Sequence, residues 1–268
     1  MNQRIVLVTG ASSGIGRATA IRFAEAGHVV YGTSRRQMEV PGIRMLSMDV
    51  RSENDVMSGI GRIVSEQGRI DILILNAGMG IAGAIEDTSI GEAQAQFDTN
   101  YFGALRVIRA ALPILRAQRS GSIIGVSSVA APLAIPFQAG YSATKAALEA
   151  TLTALRGEVG PFGIRVSSVQ PGDTKTGFTD ARRPAQAAAP SAANAYRERF
   201  ERSIRRMERD ERNGVSPDKV AKAIVKTALS PNPPVRRTVG AGYTLLLFMR
   251  NLLPERLVTF LVNRLYAA

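Results

Sequence analysis

The chain has 268 residues, with 34 lysines and arginines against 22 acids for a formal charge of +12, one histidine and no cysteine. These counts exclude a disulfide framework, a thiolate metal site and a cysteine nucleophile, and they leave a Ser-His-Asp triad only His28, which reads as a turn residue before a strand. The length suits one α/β domain, 1–268, since about 200–250 residues is routine for a single such unit, and no apolar stretch reaches the roughly 18 residues of a spanning helix.

Arg4-Ile5-Val6-Leu7-Val8-Thr9 is β-branched and apolar, which predicts a buried parallel strand. It runs into Gly10-Ala11-Ser12-Ser13-Gly14-Ile15-Gly16, then a helical pattern from Arg17 to Ala24 closed by Gly27, then a second strand from His28 to Thr33. Strand, glycine-rich turn, helix and strand in this order are the context of a dinucleotide-binding turn. Glycines let the backbone approach a pyrophosphate, and a helix N-terminus offers free N–H groups and a positive dipole end. The second strand ends Thr33-Ser34-Arg35-Arg36. No acid stands where an NAD-preferring site holds the adenosine ribose, and two guanidinium groups offer a fork for a 2′-phosphate. NADP (as NADPH) is therefore expected over NAD, the alternative being a solvated arginine pair.

A third strand spans Ile43 to Met48 and ends in Asp49-Val50; a helix follows from Glu53 to Gln67. The fourth strand, Ile70 to Leu75, ends in Asn76-Ala77-Gly78, small residues that let a ligand pass close to the backbone. A long helix from Phe97 to Arg116 carries Asn100-Tyr101 near its beginning and Pro113 late. Ser122 to Ser127 is a fifth strand delivering Ser128 to the same edge, and the helix from Tyr141 to Glu158 follows, ended by Gly160-Pro161. The sixth strand, Ile164 to Val169, leads to Gln170-Pro171-Gly172. Alternation of strands and helices predicts one mostly parallel, seven-stranded α/β sheet covered on both faces.

Residues 181–213 read as a flexible lid insertion beside the site, alanine- and proline-rich to Ala195 and then a basic helix from Tyr196 to Arg212. Ser216-Pro217-Asp218 starts another helix, and a last strand lies near Arg237-Thr238-Val239. The tail from Tyr243 to Ala268 is an amphipathic helical extension. It is expected to pack on the core, over the substrate mouth or on a second subunit, with a membrane-surface contact as the alternative. The arginine clusters at 182–212 and 236–264 read as solvated helix faces, or as an attraction for an anionic cofactor or membrane surface. No nucleic-acid motif accompanies them, so nucleic acid is not an expected partner. The N-terminus shows no secretory pattern, and the lack of cysteine fits a cytoplasmic protein.

Tyr141 and Lys145 fall on one face of their helix. A tyrosine with a pKa of about 10 is a poor base, but a neighbouring ammonium favours the phenolate and makes the pair usable for acid/base work near neutral pH.

The ordered set Thr9-Gly10-Ala11-Ser12-Ser13-Gly14-Ile15-Gly16, Asp49, Asn76-Ala77-Gly78, Asn100, Ser128, Tyr141-Ser142-Ala143-Thr144-Lys145 and Pro171-Gly172 resembles the short-chain dehydrogenase/reductase family over roughly Val6 to Thr176. The resemblance implies a Rossmann-type doubly wound fold and a hydride-transferring oxidoreductase that interconverts an alcohol and a carbonyl with no metal. In that reading Tyr141 is the acid/base, and Ser128 holds the substrate oxygen. Lys145 holds the nicotinamide ribose and depresses the tyrosine pKa, and Asn100 holds a water leading from Lys145 to solvent. Cofactor contacts would come from Gly10, Ser12, Ser13, Gly14, Ile15, Gly16, Arg35, Arg36, Asp49, Val50, Asn76, Ala77, Gly78, Tyr141, Lys145, Pro171, Gly172, Thr174 and Thr176. Two departures from the family pattern are Leu75 before Asn76 and Thr174 in place of an aliphatic residue.

Val30 to Arg36 and the apolar extension are similar to members acting on steroids, retinoids or long-chain carbonyls. The loop from Ala130 to Phe137 and the Met79-Gly80-Ile81 turn would line the substrate side with apolar groups. Members of the family are commonly dimers or tetramers, so a homo-oligomer is expected. A noncatalytic NADP-binding regulator or membrane-surface scaffold is the competing reading, one that gives no reason for Asn100, Ser128, Tyr141 and Lys145 to occur together.

Overall fold

The computed structural model of the protein describes residues 2–188 and 195–266. The first half runs β1 (Ile5–Val8), α1 (Gly14–Glu25), β2 (Val29–Ser34), β3 (Arg44–Ser47), α2 (Glu53–Gln67), β4 (Ile72–Leu75), β5 (Ile81–Ala82), α3 (Ile90–Phe97) and α4 (Gly103–Gln118). The second half runs β6 (Gly121–Val126), α5 (Ala139–Val159), β7 (Ile164–Pro171), α6 (Phe178–Ala181), β8 (Arg183–Pro184), α7 (Arg197–Arg212), α8 (Pro217–Leu229), β9 (Arg236–Val239), α9 (Ala241–Leu252) and α10 (Glu255–Tyr266). Seven strands form one sheet in the order β3-β2-β1-β4-β6-β7-β9, every pair parallel. The expected seven-stranded α/β architecture is present.

Alternation along the strands explains the two packed layers. From β1, Ile5 and Leu7 point to the layer built by Val56, Ile60 and Ile63 of α2, Val107, Ala111 and Leu115 of α4, and Leu148 and Leu152 of α5. Val6 and Val8 point to the opposite layer, with Ala20 and Phe23 of α1 and Val220, Ile224 and Ala228 of α8. The strand order reverses its direction of growth between β1 and β4. Their C-terminal ends therefore open a crevice at the switch point of the sheet, the place where such sheets take ligands.

The stretch before Asn100 differs from its expected form. The helix starts at Ile90, not Phe97, because Ser89 and Glu92 form a capping box: Ser89 Oγ accepts from Glu92 N at 3.2 Å, and Glu92 Oε2 accepts from Ser89 N at 2.9 Å. It then widens into a π-helical turn over Asp98–Phe102 before α4 continues. Asn100 thus lies in the middle of a long helical run. The lid is also more ordered than its composition suggests over the described part. β8 pairs in parallel with β5, and Arg183 N and Ala185 N donate to Gly80 O and Ala82 O at 3.0 and 2.7 Å. The remaining alanine- and proline-rich expectation falls on residues 189–194, outside the described residues. In the tail, Pro254 divides the extension into two helices of 12 residues each.

One close approach sets the height of α5 above the sheet. A Cβ added at Gly125 of β6 would stand 2.2 Å from Leu152 Cδ1 of α5, so the leucine packs into the space a side chain would fill. Gly125→Val is expected to lower unfolding free energy by about 1–3 kcal/mol through overpacking, and to displace α5 enough to reduce turnover. Denaturant unfolding and a steady-state assay on the same preparation measure both effects.

Candidate active site

The cofactor end is built where β1 meets β4. Gly10 and Gly14 have φ of +65° and +53°, a region that L side chains rarely enter. A Cβ at Gly16 would lie 2.2 Å from Gly10 O. Asn76 braces this turn from β4: its Nδ2 donates to Thr9 O and Gly10 O at 3.0 Å each, and Asn76 N and Ala77 N donate to Thr9 Oγ1 at 2.9 and 3.1 Å. Ser13 stands at the cap of α1 without a side-chain capping bond, and the first turn of α1 holds no acid. Ser12 and Ile15 are half-buried in the same turn. An uncapped N-terminus under a crowded glycine backbone fits the diphosphate of a dinucleotide.

At the adenosine end, Ala11 N donates to Thr33 O at 2.9 Å, which joins the end of β2 to the glycine turn. Arg35 and Arg36 follow β2, both exposed. Neither guanidinium has an ion pair among the described residues. Asp49, by contrast, is taken: Arg51 Nη2 reaches its Oδ2 at 2.6 Å, and this guanidinium holds the carboxyl below its ordinary range. Val50 is buried beside Gly103 at the start of α4.

The reacting end converges on α5. Lys145 is buried, and its Nζ donates to Val126 O at 2.9 Å while lying 5.7 Å from the Tyr141 ring centroid. Tyr141 is hydrogen-bonded to Ser128 across the loop after β6, and Ser128 Oγ also accepts from Ala130 N at 3.1 Å. Asn100 is fully engaged: Oδ1 accepts from Met79 N at 2.7 Å, and Nδ2 donates to Met79 O at 2.9 Å and to Thr144 Oγ1 at 3.1 Å. A Cβ on Gly78 would stand 3.3 Å from Asn100 Oδ1 and 3.7 Å from Lys145 Nζ. Ser128, Tyr141, Lys145, Asn100 and the Asn76-Ala77-Gly78 corner therefore meet.

Beyond β7, Thr176 approaches Gly14, its Cβ 3.3 Å from a Cβ placed there. Thr174 is buried and turns its hydroxyl inward to Gly172 O at 2.9 Å. Gly172 itself, next to Pro171 at the end of β7, carries the ring of Tyr243 from α9 at a distance that no Cβ would permit.

Without cofactor, desolvation dominates the electrostatics of the pair. Burial pushes the Tyr141 pKa up to about 12, with the Ser128 hydrogen bond pulling only partly against it. Burial also brings Lys145 down to about 8, opposed by the charge of Glu149. In the protein alone burial is the largest influence on the phenol.

Several supporting residues escaped the sequence reading. Thr9, at the end of β1, holds the Asn76-Ala77 corner through its hydroxyl. Glu149, one turn beyond Lys145, is buried, accepts from Gln170 Nε2 at 2.7 Å and pairs with Arg236 at 3.2 Å. Phe178 packs 5.6 Å from the Tyr141 ring, and Arg182, ion-paired with Glu211, lies 5.8 Å over Phe178. Helical spacing from Lys145 could have exposed Glu149; nothing local marks the Phe178–Arg182 stack.

Residues 4–187 match the family model described as short chain dehydrogenase. A 3-ketodihydrosphingosine reductase of Bacteroides thetaiotaomicron is 43% identical, with 100% of this chain and 99% of that one aligned. Retinol dehydrogenase 8 of Bos taurus is 31% identical, over 94% of this chain and 86% of its own length. Among solved structures, a short-chain dehydrogenase from Streptomyces avermitilis superposes with a TM-score of 0.83 at 33% identity, covering 93% of each chain. The protein belongs to the short-chain dehydrogenase/reductase family and is an NAD(P)-dependent oxidoreductase.

Proposed function

We propose that the protein reduces the ketone of a long-chain lipophilic substrate with NADPH, Tyr141 delivering the proton. The observation that carries this reading is the hydroxyl pair of Ser128 and Tyr141 beside the buried Lys145. At neutral pH the phenol carries the proton that ketone reduction consumes. When bound, the cofactor supplies the hydride to the carbonyl carbon. Ser128 Oγ–H and Tyr141 O–H together orient the carbonyl oxygen and stabilise its growing negative charge; the Tyr141 proton then passes to that oxygen. Lys145, with its charge supported by Glu149, favours proton loss from the phenol as the alkoxide forms. The Asn100 side chain, tied to Met79 and Thr144, keeps the floor of the site in place.

The substrate side supports a hydrocarbon chain. Ile81, Ala84, Phe137, Ala185 and Phe200 form an apolar cluster between the β5 turn and the lid. Phe137 holds a left-handed backbone, φ +62°, that a bulky residue keeps only under strong packing. Its ring lies 5.8 Å from Phe200, and its carbonyl accepts from Gly83 N at 2.9 Å. A groove of about 960 Å³ runs alongside, walled by Pro136, Phe137, Tyr196 and Phe260. The likeness to the Bacteroides 3-ketodihydrosphingosine reductase agrees with this choice. NADPH is favoured by the uncommitted Arg35 and Arg36. Self-association is read through the helical run around the exposed Phe102.

A panel of long-chain and short polar ketones, run with NADPH and NADH side by side, tests the reading. Turnover confined to small polar carbonyls would sink the lipophilic assignment. Tyr141→Phe is expected to lose about 10²–10⁴-fold in turnover while binding cofactor normally. Replacing Arg35 and Arg36 by alanine should raise the KM for NADPH on the order of tenfold or more, with little change for NADH, since only the former loses charged hydrogen bonds. For the pH profile, Lys145 must be charged to do its part. Ketone reduction is therefore expected to hold below about pH 8 and to fall as pH rises through the lysine's value, well before the phenol itself ionises.

A further inference from the structure

The tail helices each carry two apolar stripes, one more than packing on the body of the protein requires. Tyr243 and Leu247 on α9, and Val258, Val262 and Tyr266 on α10, form an inner stripe that is half-buried. The outer stripe consists of Leu245, Phe248, Met249 and Leu252 on α9 and Leu257, Phe260, Leu261 and Leu265 on α10, all exposed. Leu245, Phe248 and Leu252 are 62%, 61% and 65% accessible, values foreign to a finished core face. Neither helix contains a buried residue. The hairpin is nevertheless fastened to the body: Tyr243 hydrogen-bonds Asp173, and α10 packs against α7.

We propose that the α9–α10 hairpin docks, by this outer face, on an anionic lipid bilayer. Charge names the occupant. Arg256 and Arg264 are exposed beside the apolar residues, and Glu255 is the only acid on the two helices. A second copy of the chain meeting this face about a twofold axis would bring the same basic excess to the seam, on a protein already at +12. An anionic headgroup layer satisfies that excess instead. Each helix is about 18 Å long, and no helix among the described residues is long and apolar enough to cross a membrane, so the hairpin lies in the interface. The groove beside Phe137 has Phe260, Asn263 and Arg264 of α10 on one wall. If the long-chain reading above holds, a hydrocarbon chain leaving the bilayer reaches that groove along α10 without crossing water.

The test uses the full chain and vesicles, and needs no turnover. Vesicles of phosphatidylcholine alone and of phosphatidylcholine mixed with phosphatidylglycerol are sedimented with the protein at low and high salt. The protein is expected to pellet with the anionic vesicles on the order of tenfold more than with the neutral ones, and less at high salt. Leu245→Glu/Phe248→Glu/Leu252→Glu should remain in the supernatant with an unchanged unfolding midpoint. Absence of pelleting by the natural chain, or equal pelleting by the variant, overturns the proposal. So does a fall in solution mass of the variant without any lipid binding by either protein, which identifies a second copy as the occupant. Because binding is read directly, a failed substrate panel leaves this result standing and a failed sedimentation leaves the ketone reading untouched.

Discussion

The seating of α5 on β6 is the contact on which the chemistry depends. With no side chain at Gly125, Leu152 comes down onto the strand backbone, and one end of α5 is carried to the C-terminal edge of the sheet. From there Lys145 reaches Val126 O at 2.9 Å and Tyr141 meets Ser128 on the loop beyond. The hydrogen bond costs Lys145 its solvation but fixes it, so the ammonium acts from one position rather than sweeping through rotamers. Burial then raises the tyrosine's pKa, with the Ser128 hydroxyl pulling against it.

Around this contact the polar groups at the crevice are matched to one another. Thr9 satisfies two backbone donors of the Asn76-Ala77 corner, Asn76 satisfies two carbonyls of the glycine turn, and Asn100 exchanges hydrogen bonds with both backbone groups of Met79. Such matched sets are rigid, because any displacement strands a buried donor or acceptor. The π-helical turn belongs to the same economy of space. A run of α3 and α4 with uniform geometry would continue past the site; the widened turn at Asp98–Phe102 places Asn100 inward, against Met79 and Thr144.

Much of this was legible in the chain because the informative residues are local. The glycine turn, the strand alternation and the Tyr141/Lys145 spacing each state their geometry within a few neighbours. The start of α3 is also written locally, in the capping box of Ser89 and Glu92. Other features depend on distant partners. The sign of the Tyr141 shift comes from desolvation, to which the ring of Phe178 contributes from a distant segment, and no spacing encodes that. The role of Phe137 required its left-handed φ, which a phenylalanine gives no reason to expect. The order in the lid comes from a ribbon between β5 and β8, two short segments far apart in sequence.

Gly172 illustrates how one residue can answer to two neighbours. It sits beside Pro171 at the edge where the family takes its cofactor, yet the group filling the space over its Cα is the Tyr243 ring of the tail. Its φ lies outside the left-handed region, so the requirement for glycine here is one of room and not of backbone freedom. The substitution record of this position should therefore depend on the tail's presence. Where relatives lack a tyrosine at the start of α9, a larger residue becomes admissible at 172, and the pair would be seen to covary although one belongs to the catalytic rim and the other to an appendage.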